Sequence, residues 1–227
     1  MKQDNFAGLM VAGLMTLLAS GCASSSGNNP FAKKDYYTPQ NFRQDSAWLP
    51  DTIRRVAVLP VSTSLSDDMT PESLRQIDGF VGDAVAQTEM FEIVRVTPQQ
   101  MKSLTGRPSW SVDEKLPPNF FELLNDQLGC EAVMFSELTV FKPYKPVVMG
   151  WKLHLIDSHT PHVWWASDLV FDSGNQAVAN SAVKFSQENL SEGFKGASSE
   201  TILLSPSRFG QYTLAASLGT LQGRAKN

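Results

Sequence analysis

The chain has few of the residues that usually mark catalytic or metal chemistry. Two cysteines and three histidines in 227 residues are too few for a disulfide-stapled fold, and leave at most one histidine-rich metal site. Charged residues make up only 19%, with a net charge of −4. That balance excludes the clustered Lys and Arg of a nucleic-acid binder and disfavours broad adhesion to anionic lipid. No apolar run reaches the roughly 20 residues of a spanning helix. No Gly-x-Ser-x-Gly elbow follows a strand and no phosphate-binding glycine loop is present, so neither hydrolase nor nucleotide chemistry is expected.

What is present begins at the N-terminus. Lys2 opens a short polar start, Phe6 to Leu18 is apolar except for Gly8, Gly13 and Thr16, and Ala19-Ser20-Gly21-Cys22 closes the run with small residues. This is the layout of a cleaved signal peptide rather than a membrane span. The order of apolar run, small residues and cysteine resembles the lipobox of bacterial lipoproteins, with Ala19 where leucine is commonest. The resemblance implies that residues 1–21 are removed and that Cys22 becomes the acylated first residue, anchored in a lipid bilayer. Several acyl chains hold a protein where one alone is marginal, since each buried methylene contributes about 0.8 kcal/mol. Ala23 follows, not the aspartate that in enterobacteria favours inner-membrane retention, so the expected location is the periplasmic side of the outer membrane.

Cleavage leaves roughly 200 residues, enough for one domain with a sizeable core. Residues 22–50 read as the lipidated N-terminus and a flexible tether, and 51–227 as a single periplasmic domain. Ser24-Ser25-Ser26-Gly27-Asn28-Asn29-Pro30 lacks periodic apolar positions and cannot offset its ordering entropy. Tyr36, Tyr37, Phe42, Trp48 and Leu49 do not suit a pure spacer, and point to packing on the domain or on a neighbouring subunit. With Cys22 acylated, Cys130 is left without a partner. It precedes the apolar run Ala132 to Phe135, which fits a buried structural thiol.

The element signals give an α/β fold. Arg54 to Val61 reads as a buried strand. Thr70-Pro71 starts a helix with Leu74, Ile77, Val81, Ala84 and Val85 on one face. Phe91 to Val96 is a second strand, and Thr97-Pro98-Gln99-Gln100 is a capping box whose helix ends near Gly106. After a proline-rich loop, Asn119 and Glu122 open a helix carrying Phe120, Phe121, Leu124 and Leu128, closed by Gly129. Ala132–Phe141, Val147–Ile156 and His162–Phe171 form three strands joined by short turns, hence antiparallel. Helices follow at about Asn175–Leu190 and from Ser205-Pro206 to about Leu221. The expected order is β-α-β-α-α-β-β-β-α-α, a mixed sheet with helices mainly on one face.

The lipoprotein leader, the tether, the strand Arg55-Val56-Ala57-Val58-Leu59-Pro60 and the strand Met90-Phe91-Glu92-Ile93-Val94 together resemble one superfamily. It contains the TolB amino-terminal domain, the curli secretion lipoprotein CsgG, the Pel lipoprotein PelC and the penicillin-binding-protein activator LpoB. The likeness covers about Arg54 to Phe171. It implies a periplasmic, non-enzymatic scaffold that binds an envelope protein partner and often forms a homo-oligomer, with no cofactor. No pair of alternating segments suited to transmembrane hairpins is present, so a curli-type pore is not expected.

Four side chains stand out as a possible interface. Alternation puts Trp165 with Val163, Leu169 and Phe171 toward the core and leaves Trp164 outward, while Tyr212, Leu214 and Leu218 lie on a wide apolar stripe of the last helix that could dock a neighbour. His154, His159 and His162 cluster around one hairpin as weak metal candidates. His154 sits mid-strand while the other two bracket a turn, so convergence is not expected. A glycan-binding lipoprotein using exposed sheet aromatics and an activator of a cell-wall synthase are the alternative functions.

Overall fold

The computed structural model describes residues 35–65, 69–189 and 199–223. Cys22 and the leader lie outside the described residues. The elements are β1 (Phe42–Gln44), β2 (Arg55–Val58), β3 (Ser62–Thr63), α1 (Pro71–Gln87), β4 (Glu92–Arg95), α2 (Pro98–Thr105), α3 (Phe120–Leu128), β5 (Ala132–Lys142), β6 (Val148–Asp157), β7 (Val163–Asp172), α4 (Gln176–Asn189), a 3-10 helix (Ser199–Leu204) and α5 (Pro206–Leu218). They form one mixed seven-stranded sheet in the order β1-β7-β6-β5-β2-β4, with β3 also paired to β5. The fold is α/β. β2 pairs in parallel with β4 and β5, whereas β5, β6 and β7 form an antiparallel meander, as their short turns require.

The caps follow from the sequence. The Thr70 side chain accepts the Ser73 N–H and starts α1. The Thr97 hydroxyl accepts the Gln100 N–H at 3.2 Å while Gln100 Oε1 accepts the Thr97 N–H at 2.9 Å, which completes the capping box of α2. Gly106 and Gly129 end α2 and α3 with φ of 85° and 62°, in the left-handed region that glycine enters without steric cost. Asn119 departs from expectation. Directly after Pro117-Pro118 it is itself left-handed, with φ 60°, and makes no side-chain cap bond.

Alternation along the strands builds two cores. On one face Val56, Met134, Trp151, Leu153, Trp165 and Phe171 meet α1, α4 and α5 through Val81, Ala182, Phe209 and Leu214. On the other, Ala57, Leu59, Val133 and Phe135 meet α2 and α3 through Met101, Phe120 and Leu124, with Trp110 and Cys130. The helices thus lie mainly on one face, with the two short ones opposite. Cys130 is fully buried, and burial pushes its thiol pKa up, which makes it unreactive.

Of the stretch 22–50 expected as a tether, residues 35–50 pack on the domain, and residues 22–34 lie outside the described residues. Tyr37 sets its ring edge-on to Phe171 at 5.2 Å, β1 pairs antiparallel with β7, and the buried Leu49 donates its N–H to Gly223 O at 3.2 Å. The aromatic residues offset the ordering entropy that the polar residues around them cannot. β1 also covers the edge of β7, which would otherwise expose unpaired backbone groups. The last helix stops at Leu218, three residues short of the expected Leu221.

Alternation fails at two points that the sequence does not mark. The register between β6 and β7 shifts after Leu155–Trp165, so that Ile156 pairs with Val163 and Trp164 is the extra residue of a β-bulge. Val163 therefore packs with the second core while Trp165 packs with the first, rather than both facing one way. A second irregularity leaves Thr139 unpaired in β5 opposite Gly150. A Cβ on Gly150 would lie 2.6 Å from Thr139 Oγ1 and 3.1 Å from Val140 Cβ, so only glycine fits beside that bulge.

Candidate functional site

The helices do not cover the whole sheet. On the second face α2 and α3 stop over β2 and β5, and the half formed by β6, β7 and β1 carries none. Its side chains follow from register. Glu137, Lys152 and Asp168 form one cross-strand row; Phe135, His154, Ala166 and Arg43 form the next; Val140, Gly150 and Val170 lie on the other side of the charged row. Val170 is 50% exposed, a large apolar side chain left in solvent on a sheet face.

The loop from Arg107 to Pro118 holds the edge of this half-face in place. The Arg107 guanidinium lies 4.3 Å over the Trp110 ring and pairs with Glu114 at 2.9 Å. Trp110 Nε1–H donates to Thr105 Oγ1 at 2.8 Å. From this base the Ser111 hydroxyl donates to Glu137 Oε2 at 2.6 Å, and Asp113 pairs with Lys152. The hydrogen bond from Lys152 to Asp113 raises the lysine pKa and keeps it cationic. The Ser111 N–H, followed by Arg107, holds the Glu114 carboxyl below the usual range despite partial burial.

Next to this row a cavity of about 280 Å³ is lined by Asn41, Arg43, Asp113, Lys152, His154 and Asp168. Burial lowers the pKa of His154; Lys152 acts in the same direction, and Asp113 and Asp168 oppose it. A base whose folded pKa is depressed stabilises the fold above its ordinary pKa, and that contribution is lost as pH falls through the lower range. Stability against urea is therefore expected to drop as pH falls below the ordinary histidine range of about 6.5, and His154→Gln is expected to flatten that limb. The charged row and the cavity together hold the His154 imidazole, the Lys152 ammonium, the Arg43 guanidinium and the carboxylates of Asp113, Glu137 and Asp168. Such a surface is suited to polar recognition around an apolar patch.

The sequence-predicted residues are dispersed. Trp164 is half-buried in its bulge, donating Nε1–H to Asp157 Oδ2 at 3.2 Å, with the His162 ring edge-on at 4.3 Å. Trp151 and Trp165 are fully buried, which removes them as sugar-stacking platforms. Tyr212, Leu214 and Leu218 are core, not interface. α5 lies across the sheet between α1 and α4, so its wide stripe is used within one molecule, and burial pushes the Tyr212 phenol up to about 12. His159 is exposed at the β6–β7 turn, His162 Nε2 lies 3.2 Å from Asp45 Oδ2, and His154 faces the cavity. Among the described residues no three metal-ligating side chains converge. Asp113 and Arg43 are the site members that sequence reasoning missed. The sequence around them shows only that Lys152 and His154 alternate with Trp151, Leu153 and Leu155, which marks a polar face of that strand but not what reaches it.

No family model matches this sequence, and no curated protein does. The chain is similar in structure to PelC. The PelC dodecamer from Paraburkholderia phytofirmans aligns with 81% of this chain and 98% of its own, at 14% identity and a TM-score of 0.47. The lipoprotein GNA1162 from Neisseria meningitidis aligns over 62% of this chain and 99% of its own, at 12% identity and a TM-score of 0.36. The LpoB C-terminal domain from Salmonella enterica aligns over 52% and 82%, at 16% and 0.34.

Proposed function

We propose that this chain is an outer-membrane lipoprotein, anchored through Cys22, whose periplasmic domain serves an envelope export or biogenesis system by binding a protein partner rather than by catalysis. The observation that carries this reading is the half-face of β6, β7 and β1. It is open, pinned at one edge by Asp113 and Ser111, and combines exposed Val170 with a charged row. An antiparallel sheet face is commonly left to solvent when its side chains are polar; here the exposed Val170 beside the charged row favours a contact surface. The lipid and a short tether would concentrate that surface near envelope partners without any new contact. No helix among the described residues is long and apolar enough to cross a membrane, so in this reading attachment falls to the lipid.

Photo-cross-linking in cells tests the assignment. A photoreactive phenylalanine analogue in place of Val170 is expected to give a discrete adduct with one envelope protein, whereas the same analogue at exposed Gln99 on α2 should give none. Equal adducts from both positions, or none from position 170, would contradict the assignment.

A further inference from the structure

Three segments meet at one end of the sheet. The β5–β6 hairpin turns there through Pro143-Tyr144-Lys145-Pro146. The β7–α4 turn lies against it: the Val147 N–H donates to Ser173 Oγ at 2.8 Å, the Ser173 N–H donates to Val147 O at 2.9 Å, and a Cβ on Gly174 would sit 3.3 Å from Pro146 Cβ. The third segment is the start of the arm. Asn180 Nδ2–H donates to Asp35 O at 2.9 Å and the Tyr37 N–H to Ser181 Oγ at 2.9 Å, both within the first two turns of α4, which begins at this same end.

The chemistry of this end is distinctive. Tyr144 is 86% exposed, more than any other large apolar side chain among the described residues, and exposed Lys142 and Lys145 flank it. The exposed Asp172, on the cross-strand row of Lys142, has its carboxylate engaged by the Gly174 N–H at 2.7 Å. Tyr36, also exposed, carries the Lys184 ammonium 5.2 Å from its ring centroid. Aromatic rings with a polar edge, flanked by lysines, are what the headgroup level of a bilayer accommodates.

We infer that this end of the domain rests on phospholipid headgroups, with Tyr144 in the membrane interface and Lys142 and Lys145 against headgroup phosphates. The inference rests on the reading that Cys22 is acylated, because the length of chain before Asp35 selects the occupant. Cys22 and Asp35 are 13 positions apart in the sequence, a reach of at most about 45 Å. The anchor therefore keeps the end from which the chain departs close to the bilayer. The net charge of −4 confines the contact to this cationic tip.

The test uses the full acylated protein in vesicles of phosphatidylethanolamine and phosphatidylglycerol. An environment-sensitive fluorophore is attached through Tyr144→Cys, or through His159→Cys at the opposite end of the hairpins, about 33 Å away along β6. Buried Cys130 does not compete for label. Headgroup-quencher lipids are expected to quench the label at position 144 about five-fold more than that at 159. Adding Lys142→Glu and Lys145→Glu is expected to reduce that quenching roughly two-fold or more. Equal quenching at both positions in protein that floats with the vesicles would overturn the inference and leave the anchor standing. A blue-shifted but unquenched label at 144 would overturn it in favour of a protein contact. Failure of the chain to float would sink both the anchor and the inference.

Discussion

Replacing Trp151 with alanine is expected to cost about 3–5 kcal/mol, among the largest single losses the fold can show. The indole lies on the first face of β6 against α5, fully buried, and its Nε1–H donates to Thr213 Oγ1 at 2.9 Å. Truncation opens a cavity between sheet and helix and deprives the Thr213 hydroxyl of one partner, although that hydroxyl still donates to Gly210 O at 2.9 Å. Trp165 repeats the arrangement one strand over, donating to Thr220 Oγ1 at 3.1 Å, so two indoles fix the tilt of α5 and of the segment that follows it. At roughly 2–4 °C per kcal/mol for a domain of this size, Tm should fall by about 6–20 °C. Trp151→Phe should lose distinctly less, because most of the volume remains. Thermal denaturation followed by circular dichroism checks both.

Leu214→Asp should prevent folding altogether. Leu214 is fully buried on α5, with sheet below and α1 and α4 on either side. A carboxylate there either remains charged in an apolar site or takes up a proton at several kcal/mol, against a total stability of about 5–15 kcal/mol for a typical domain. The expected result is insoluble or protease-sensitive protein. A docking surface behaves differently: an aspartate at an interface leaves monomer stability unchanged and lowers only the oligomer mass. Soluble, cooperatively folding Leu214→Asp protein with reduced mass in light scattering would restore α5 as an interface and displace it from the core.

The contrast between those outcomes shows where sequence and structure diverge. The width of the apolar stripe on α5 was legible, but its meaning was not, because a central helix flanked by two others and one that docks a neighbouring subunit have the same periodicity. The capping box at Thr97, the left-handed glycines and the β5–β7 meander were readable because each depends on residues a few positions apart. β1 was not. Phe42-Arg43-Gln44 has no strand pattern of its own and becomes a strand only because β7 presents an open edge. The Trp164 bulge was invisible for a related reason, since alternation assumes an unbroken register. At the candidate site, the polar face was evident from Lys152 and His154, whereas Asp113 reaches Lys152 from 39 residues away, a distance in sequence that no local pattern spans.

The packing of residues 35–50 on the domain sharpens the proposed function. With Cys22 acylated as proposed, a spacer running to residue 50 would let the domain range widely beneath the membrane, whereas the stretch from Cys22 to Asp35 reaches at most about 45 Å, so the proposed partners lie in a thin shell. The open half-face and the anchor then act together, the lipid supplying local concentration and the sheet face supplying recognition. The measurement that tests this most directly is the yield of the cross-link from position 170 in cells making Cys22 protein or Cys22→Ser protein at equal abundance. The account predicts a single protein adduct that falls about ten-fold or more without the anchor. An equal yield from the unanchored chain, or no adduct in either, would contradict it.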